Sequence, residues 1–491
     1  MRFPTELKKI KYELEKHAEK MGLDFFPVVF EVVEFDEMNA IASRGGFPTR
    51  YPHWRFGMEY ERLSKSYAYG LHKIYEMVIN NDPCYAYLLE GNNIVDQKIV
   101  IAHVYAHCDF FKNNFWFQKT NRKMMDEMAN HASRIWKFIE KYGYEKVEKF
   151  IDICLSIENL IDVHSVHFSG RTQVSESDAD ARIKVDRLRS KDYMESFINP
   201  PEFIAGMRKK KEDELAKKKE MRFTPQKDIL QFLIENARLQ KWEQDILSVI
   251  REESYYFAPQ GQTKIMNEGW ASYWHSKIMT SKALNDAEII DYADHHSGTL
   301  GVRPGSINPY KLGLELFRAI EERWNKGKFG TEYMECEDYE EKRKWDKKTG
   351  LGMEKIFEVR KTHNDITFID DFLTPEFCLE HKLFVYSYNN EKNVYEISDR
   401  EFRNIKSQLL LSLTNFGKPV ILVDSSNYKN RGELLLTHNF SGAELNALYA
   451  KSTLENIYKI WQKPVNIHTR INDIKVIMTF DGEKHETSTV Q

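Results

Sequence analysis

Several common signatures are missing from this chain, and each absence narrows what it can be. No apolar run approaches the roughly 18 residues that a membrane-spanning helix needs, so no membrane span is expected. Neither charge sign dominates: 71 Lys+Arg stand against 75 Asp+Glu, a net charge of −4, which argues against the strongly basic face of a nucleic-acid binder. The five cysteines (Cys84, Cys108, Cys154, Cys336, Cys378) are scattered and form no CxxC, so reduced thiols are expected rather than a disulfide framework or a thiolate metal site. The sequence has no G-x-S-x-G, no G-x-x-x-x-G-K-[ST] and no G-x-G-x-x-G. That removes the usual grounds for a serine hydrolase, a nucleotide kinase or a nicotinamide enzyme. The first residues, MRFPTELKKIKYELEKHAEKMG, mix charges at helical spacing without the apolar core of a signal peptide, and a cytoplasmic location is expected. What is present is apolar material: 42% hydrophobic and 13% aromatic residues over 491 positions, enough for two or three domains of roughly 150 residues.

Apolar spacing reads as helix over most of the first 360 residues. Residues 25–35 read as a short strand pair or extended segment, and SRGGFPTRYPH (43–53) as a loop. Residues 54–79 read as one long buried helix, CYAYLLE (84–90) as a strand, and 94–114 as a helix. Further helices are expected at about 120–143, 144–161 and 227–252. The mixed-charge run RKKKEDELAKKKEMR (208–222) reads as a solvated helix or linker. From residue 363 the texture becomes strand-like, with ITFIDDFL, HKLFVYSYN, VYEIS, PVILVDSS, ELLLTHNF and PVNIHTRINDIKVIMTF interrupted by helical runs at 399–414 and 443–462. The expected class is therefore α+β. A large, mainly helical N-terminal domain (1–362) precedes a small α/β C-terminal domain (363–491), a sheet with two helices on one face.

The segment richest in chemistry is AHVYAHCD (102–109). His103 and His107, four apart on a helix, project from one face, so both imidazoles can reach one ion. The spacing is that of the metal-binding H-E-x-x-H helix, but Val104 stands where its general-base glutamate belongs. By spacing alone, two helix histidines satisfied by hydrogen bonds are the commoner arrangement. Two neighbours strengthen the metal reading. A strand ending in Glu90 leads into the histidine helix, a zincin-like strand-plus-helix element of the kind zinc peptidases use to hold an extended substrate. Far along the chain, MNEGWASYWH (266–275) places Glu268 and His275 seven apart, on one face after two turns. His103, His107 and Glu268 would make a two-histidine, one-carboxylate set with coordination positions left open, and His275 a fourth ligand or a partner behind the ligands. Glu127 and His131, at i and i+4, would suit a di-metal centre, or simply an amphipathic core helix. His296 either lines the pocket or sits in a loop, and Cys108 reads as a buried structural thiol rather than a nucleophile.

Seven segments in order, FPTRYPHWRFG (47–57), YGLHKIYEMVINNDPCYAYLLEGN (69–92), VIAHVYAHCDFFKNN (100–114), NRKMMDEMANHA (121–132), MNEGWASYWH (266–275), HSG (296–298) and NPYKLG (308–313), resemble the SpoVR family, the stage V sporulation protein R proteins. THNFSGAELNALYAKSTLENIYKIW resembles that family's tail. The resemblance implies cytoplasmic action in formation of the spore cortex, although relatives also occur in bacteria that do not sporulate. It carries no catalytic residues across.

The residues and the resemblance together lead to the expectation of a metal-dependent hydrolase acting on an amide bond, in a peptide or a peptidoglycan precursor. A divalent metal, zinc first, would be held by His103, His107, Glu268 and His275. With Val104 in the base position, proton transfer would fall to Glu90, Asp109 or Glu127. The rival expectation is a non-enzymatic regulator or scaffold, with a structural metal or none, that engages protein partners through the C-terminal domain. No nucleic-acid partner is expected, and the oligomeric state is left open.

Overall fold

A computed structural model describes residues 4–68, 74–165, 226–302 and 305–490. The charged run at 208–222 lies outside the described residues. The chain divides into two compact units, a larger one of residues 1–151 and 252–418 and a smaller one of residues 152–251 and 419–491. The described residues form a mixed α+β architecture with three small sheets. Among the described residues, no helix is long and apolar enough to cross a membrane.

The larger unit is built on the helices α1 (Thr5–Lys20), α2 (Phe35–Ser43), α3 (Trp54–Ala68), α4 (Ile94–Asn113) and α5 (Met124–Tyr142) of its first segment. A three-stranded sheet runs among them. Strand β1 (Val28–Val33) lies parallel to β3 (Cys84–Leu89), and β2 (Glu76–Ile79) lies antiparallel on the other side of β3. Helix α4 follows β3 after a four-residue turn, and the Asn93 side chain caps it by accepting the Asp96 N–H at 2.7 Å. Every residue of α4 from Ile99 to Phe111 is buried, which suits a helix that is apolar all round except where polar groups meet partners. The expected helix over 54–79 stops at Ala68, and Glu76–Ile79 is the edge strand β2. Pairing of Glu76 with Leu88 and Ile79 with Tyr85 satisfies that backbone in the sheet, a long-range gain that overrides the helical spacing.

The later part of this unit contributes α6 (Lys264–Ile278), α7 (Ile289–Thr299), α8 (Pro309–Asn325), α9 (Gly352–Thr362) and α10 (Asp365–Phe372). Helices α6 and α8 cross at two glycines. A Cβ on Gly269 would stand 2.4 Å from the Gly313 backbone, and one on Gly313 2.1 Å from the Ile265 carbonyl oxygen. Asp365 closes the N-terminus of α6 by accepting the Ile265 and Met266 N–H groups, each at 2.9 Å.

The strand expected at ITFIDDFL is helix α10. Asn364 and Thr367 form a reciprocal cap there, and the buried Phe368, Ile369 and Phe372 recur at helical, not alternating, spacing. Together with Ile405 and Leu409 of the helix at Phe402–Leu413, these side chains join the core cluster that contains α4 and α6. Residues 363–418 thus pack into the larger unit, and the compact units do not part at 362/363.

The smaller unit holds a five-stranded sheet of Ile421–Tyr428, Glu433–His438, Val465–Ile471, Ile474–Phe480 and His485–Thr489, with only the second and third of these parallel. The helix Ala447–Trp461 packs on it, Tyr458 meeting Phe480 edge to face. The second helical contribution is Ile229–Asn236 from the middle of the sequence: Phe232 meets Trp461, and Gln226 bridges to Val423. The run expected as one helix over 227–252 breaks after Asn236 and resumes at Lys241.

Candidate metal centre

Helices α4 and α6 face each other across the core of the larger unit and bring three donor atoms together. His103 Nε2 and His107 Nε2 lie 3.7 and 3.5 Å from Glu268 Oε2. The ligand atoms of the three residues all fall within 4.8 Å of one another. Two donors each about 2.1 Å from a tetrahedral ion stand about 3.4 Å apart, so this spacing fits one cation. Neither His103 Nε2 nor Glu268 Oε2 has a hydrogen-bond partner although both are buried. An unsatisfied buried imidazole nitrogen and carboxylate oxygen aimed at one point are costly unless something occupies that point.

The groups behind the ligands set their tautomers. His107 Nδ1 is 2.9 Å from Asn267 Oδ1, a carbonyl oxygen that can only accept, so Nδ1 carries the proton and Nε2 keeps its lone pair towards Glu268. His103 Nδ1 meets His275 Nδ1 at 2.9 Å, and His275 Nε2 meets His296 Nδ1 at 3.1 Å. With the His103 Nε2 lone pair pointing into the site, the donors run one way along this row, from His103 to His275 to His296. Both ring nitrogens of His275 are thereby committed to other imidazoles, and His275 stands behind His103 rather than among the converging donors. His295, beside His296, is held by Asp96 at 2.8 Å.

Burial and the neighbouring imidazoles hold His107 down to about 4 and His275 well below the ordinary histidine range. For Glu268, burial pushes upwards but is outweighed by the close approach of His103 and by the charges of His107 and Lys264, which keep its carboxyl below the usual value. Both results favour the forms that ligate: neutral imidazole and ionised carboxylate.

The expected proton-transfer residues are not in this group. Glu90 is exposed on the turn between β3 and α4. Asp109 is fully buried and committed elsewhere: it accepts the Trp270 Nε1–H and the Asp24 N–H at 2.8 Å each, and lies 3.2 Å from Arg360. Glu127 belongs to a separate group with His131 and Glu252. The carboxylate the geometry supplies instead is Glu76 of the edge strand β2, 4.0 Å from His103 Nε2. Burial, more than the adjacent Glu268, raises its pKa against the opposing pull of His103 and His295. Tyr310, at the start of α8, stacks on His103 with ring centroids 6.2 Å apart, and its hydroxyl is pushed up by burial and by Glu268 and Glu76. Glu76, His107, Lys264, Asn267, Glu268 and Tyr310 line a cavity of about 450 Å³ that opens from the cluster.

Sequence reasoning passed over Glu76, Asn267 and Tyr310. Asn267 and Tyr310 stand inside segments already singled out, MNEGW and NPYKLG. Glu76 was hidden by the reading of its segment as helix.

A family model described as SpoVR like protein matches residues 2–418, a span that contains every residue of this cluster and ends where the larger unit ends. A relative from Escherichia coli (strain K12), named "Uncharacterized protein YcgB", is 28% identical over 491 residues, covering 94% of this chain and 91% of its own length. No solved structure matches.

Proposed function

The chain belongs to the SpoVR family, and from that premise we propose that it is a cytoplasmic metal-dependent hydrolase of the sporulation pathway, acting on an amide bond in a peptide or a peptidoglycan precursor. The observation that carries the reading is the convergence of His103, His107 and Glu268, from helices some 160 residues apart, with two of the donor atoms buried and unpartnered. A divalent ion of borderline softness, zinc first, suits two imidazoles and one carboxylate, and when bound it lowers the pKa of a water and polarises a carbonyl. His275 and Asn267 orient the two imidazoles from behind. Glu76 takes the proton that Val104 cannot, from the substrate side of the cavity, and β2 and β3 supply the strand beside the histidine helix. Tyr310 stacks on His103 and keeps its phenol protonated, so its hydroxyl donates a hydrogen bond.

The test separates holding the metal from doing the chemistry. Replacing His103 and His107 by Ala lowers bound metal by one ion per chain in elemental analysis of the full-length protein. Glu76→Gln leaves that ion in place and abolishes release of amine from stem-peptide substrates. Unchanged metal content in the histidine variant removes the site, and undiminished hydrolysis by Glu76→Gln removes its role as base.

One observation favours a second reading: the histidine helix carries no glutamate at position 104, where metallopeptidases of this spacing hold their base. On that reading the ion is structural and the protein is a scaffold, docking partners through its C-terminal sheet. Cortex formation at the normal level by the His103/His107 variant supports the scaffold.

A further inference from the structure

A second group of donors lies apart from the cluster just described and shares no residue with it. Helix α5 presents Glu127 and His131 one turn apart, and Glu252 comes from the helix Lys241–Gln262. Their ligand atoms all lie within 4.8 Å of one another. His131 is wholly buried, and its Nε2, 3.4 Å from Glu252 Oε2, makes no hydrogen bond. Its other nitrogen, Nδ1, lies 3.1 Å from Glu253 Oε1. Glu253 is itself buried and ion-paired with Arg50 from the loop before α3. A carboxylate can only accept, so Nδ1 carries a proton towards Glu253, and Nε2 faces Glu127 and Glu252, to which it presents a proton or, where a cation takes that proton's place, its lone pair. A carboxylate fixing one imidazole nitrogen so that the other faces a cation is the usual arrangement behind metal-bound histidine. Glu253, already neutralised by Arg50, is spent on this positioning.

We propose that His131, Glu127 and Glu252 form a second divalent-cation site in this protein, with Glu253 and Arg50 as its positioning residues. One nitrogen and two carboxylate oxygens suit Zn²⁺ or Mn²⁺, and exclude the soft ions that need thiolates or thioethers. Glu252 keeps 46% of its side-chain exposure, so water completes the coordination and the ion exchanges with solvent. The site ties α5 to the Lys241–Gln262 helix and, through Glu253 and Arg50, to the loop at 43–53. The competing account is an ion-pair cluster that holds only a proton, in which Arg134 and Asn121 also reach Glu252.

His131 is too deeply buried for its replacement to be a clean test, so the two carboxylates carry it. Full-length parent, Glu127→Gln/Glu252→Gln, His103→Ala/His107→Ala and the combined variant are titrated with Zn²⁺ in the presence of a competing chromophoric chelator, with circular dichroism confirming the fold. The carboxylate pair lowers the tight stoichiometry by one ion whether or not the histidine pair is intact, and removes the rise in melting temperature that Zn²⁺ gives the histidine variant. Equal stoichiometry with and without the two glutamates overturns the second site, whatever the histidine pair does. Loss with the glutamates but not with the histidines keeps this site and removes the first.

Discussion

Replacing Gly269 by Ala tests how the first cluster is held together. Gly269 follows Glu268 on α6 and meets Gly313 of α8 backbone to backbone. The added methyl would stand 2.4 Å from Gly313 Cα and C and 2.8 Å from the Leu314 nitrogen. Ordinary carbon contacts are about 3.5–4.0 Å, so the helices must separate by about 1 Å, and the atoms in the way are backbone, which cannot rotate aside. Overpacking of this kind costs about 1–3 kcal/mol, and the rigid obstacle places the cost at the upper end. At roughly 2–4 °C per kcal/mol in domains of 150–250 residues, thermal denaturation should show a loss of several degrees. The same displacement carries Glu268 away from His103 and His107, and a site tolerates only about 0.5 Å of error, so Zn²⁺ affinity at the histidine pair falls as well. Gly57→Ala is the control, because a Cβ there meets nothing within 4 Å in the first turn of α3; it should be neutral or slightly stabilising. A Gly269→Ala protein that melts within a degree of the parent and binds Zn²⁺ equally well would refute the account of α6 as clamped by its glycine crossing.

Asp109→Ala leaves Arg360 buried without its carboxylate and strips the acceptor from Trp270 Nε1 and the Asp24 N–H, so urea denaturation should show a loss of about 3–5 kcal/mol while Asp109→Asn loses less. Burial, against the helix N–H groups and Lys264, raises the Asp365 carboxyl to about 7. A carboxyl whose folded pKa is raised adds stability below its unfolded value near 4 and loses it as pH rises towards 7, so Asp365→Asn should flatten the fall in stability over that window, on the order of 4 kcal/mol. His107 works in the opposite direction. Its folded pKa of about 4 lies below the unfolded value near 6.5, so the metal-free protein loses stability, on the order of 3 kcal/mol, as pH falls from 6.5 to 4. His107→Gln in chelator should lack that loss in a pH series of melting curves, and an unchanged slope would remove His107 as its source.

The residues that carry chemistry were legible because they are local. His103 and His107 share a helix face by spacing alone, Glu268 and His275 share another, and seven ordered segments mark the family. A carboxylate in an aromatic helix likewise announces itself, since burial without a partner is costly. Pairing decisions were not legible. Glu76–Ile79 satisfies helical spacing as well as strand alternation, and only the hydrogen bonds offered by β3 decide for the strand and so carry Glu76 to the cluster. The β-branched and aromatic residues of Asp365–Phe372 score as strand until the cap and the core claim them as helix. Asp109, two residues from His107, looked available for proton transfer, but on a helix two residues is a rotation of about 200°, which turns it towards Trp270 and Arg360. Sequence determined which donor types this chain owns and on which faces they lie, because those follow from a period of 3.6. Tertiary structure alone decided which faces meet, because α4 and α6 are brought together by a core whose contacts span some 160 residues, and α6 is seated on α8 by a glycine crossing, both beyond the reach of any local pattern.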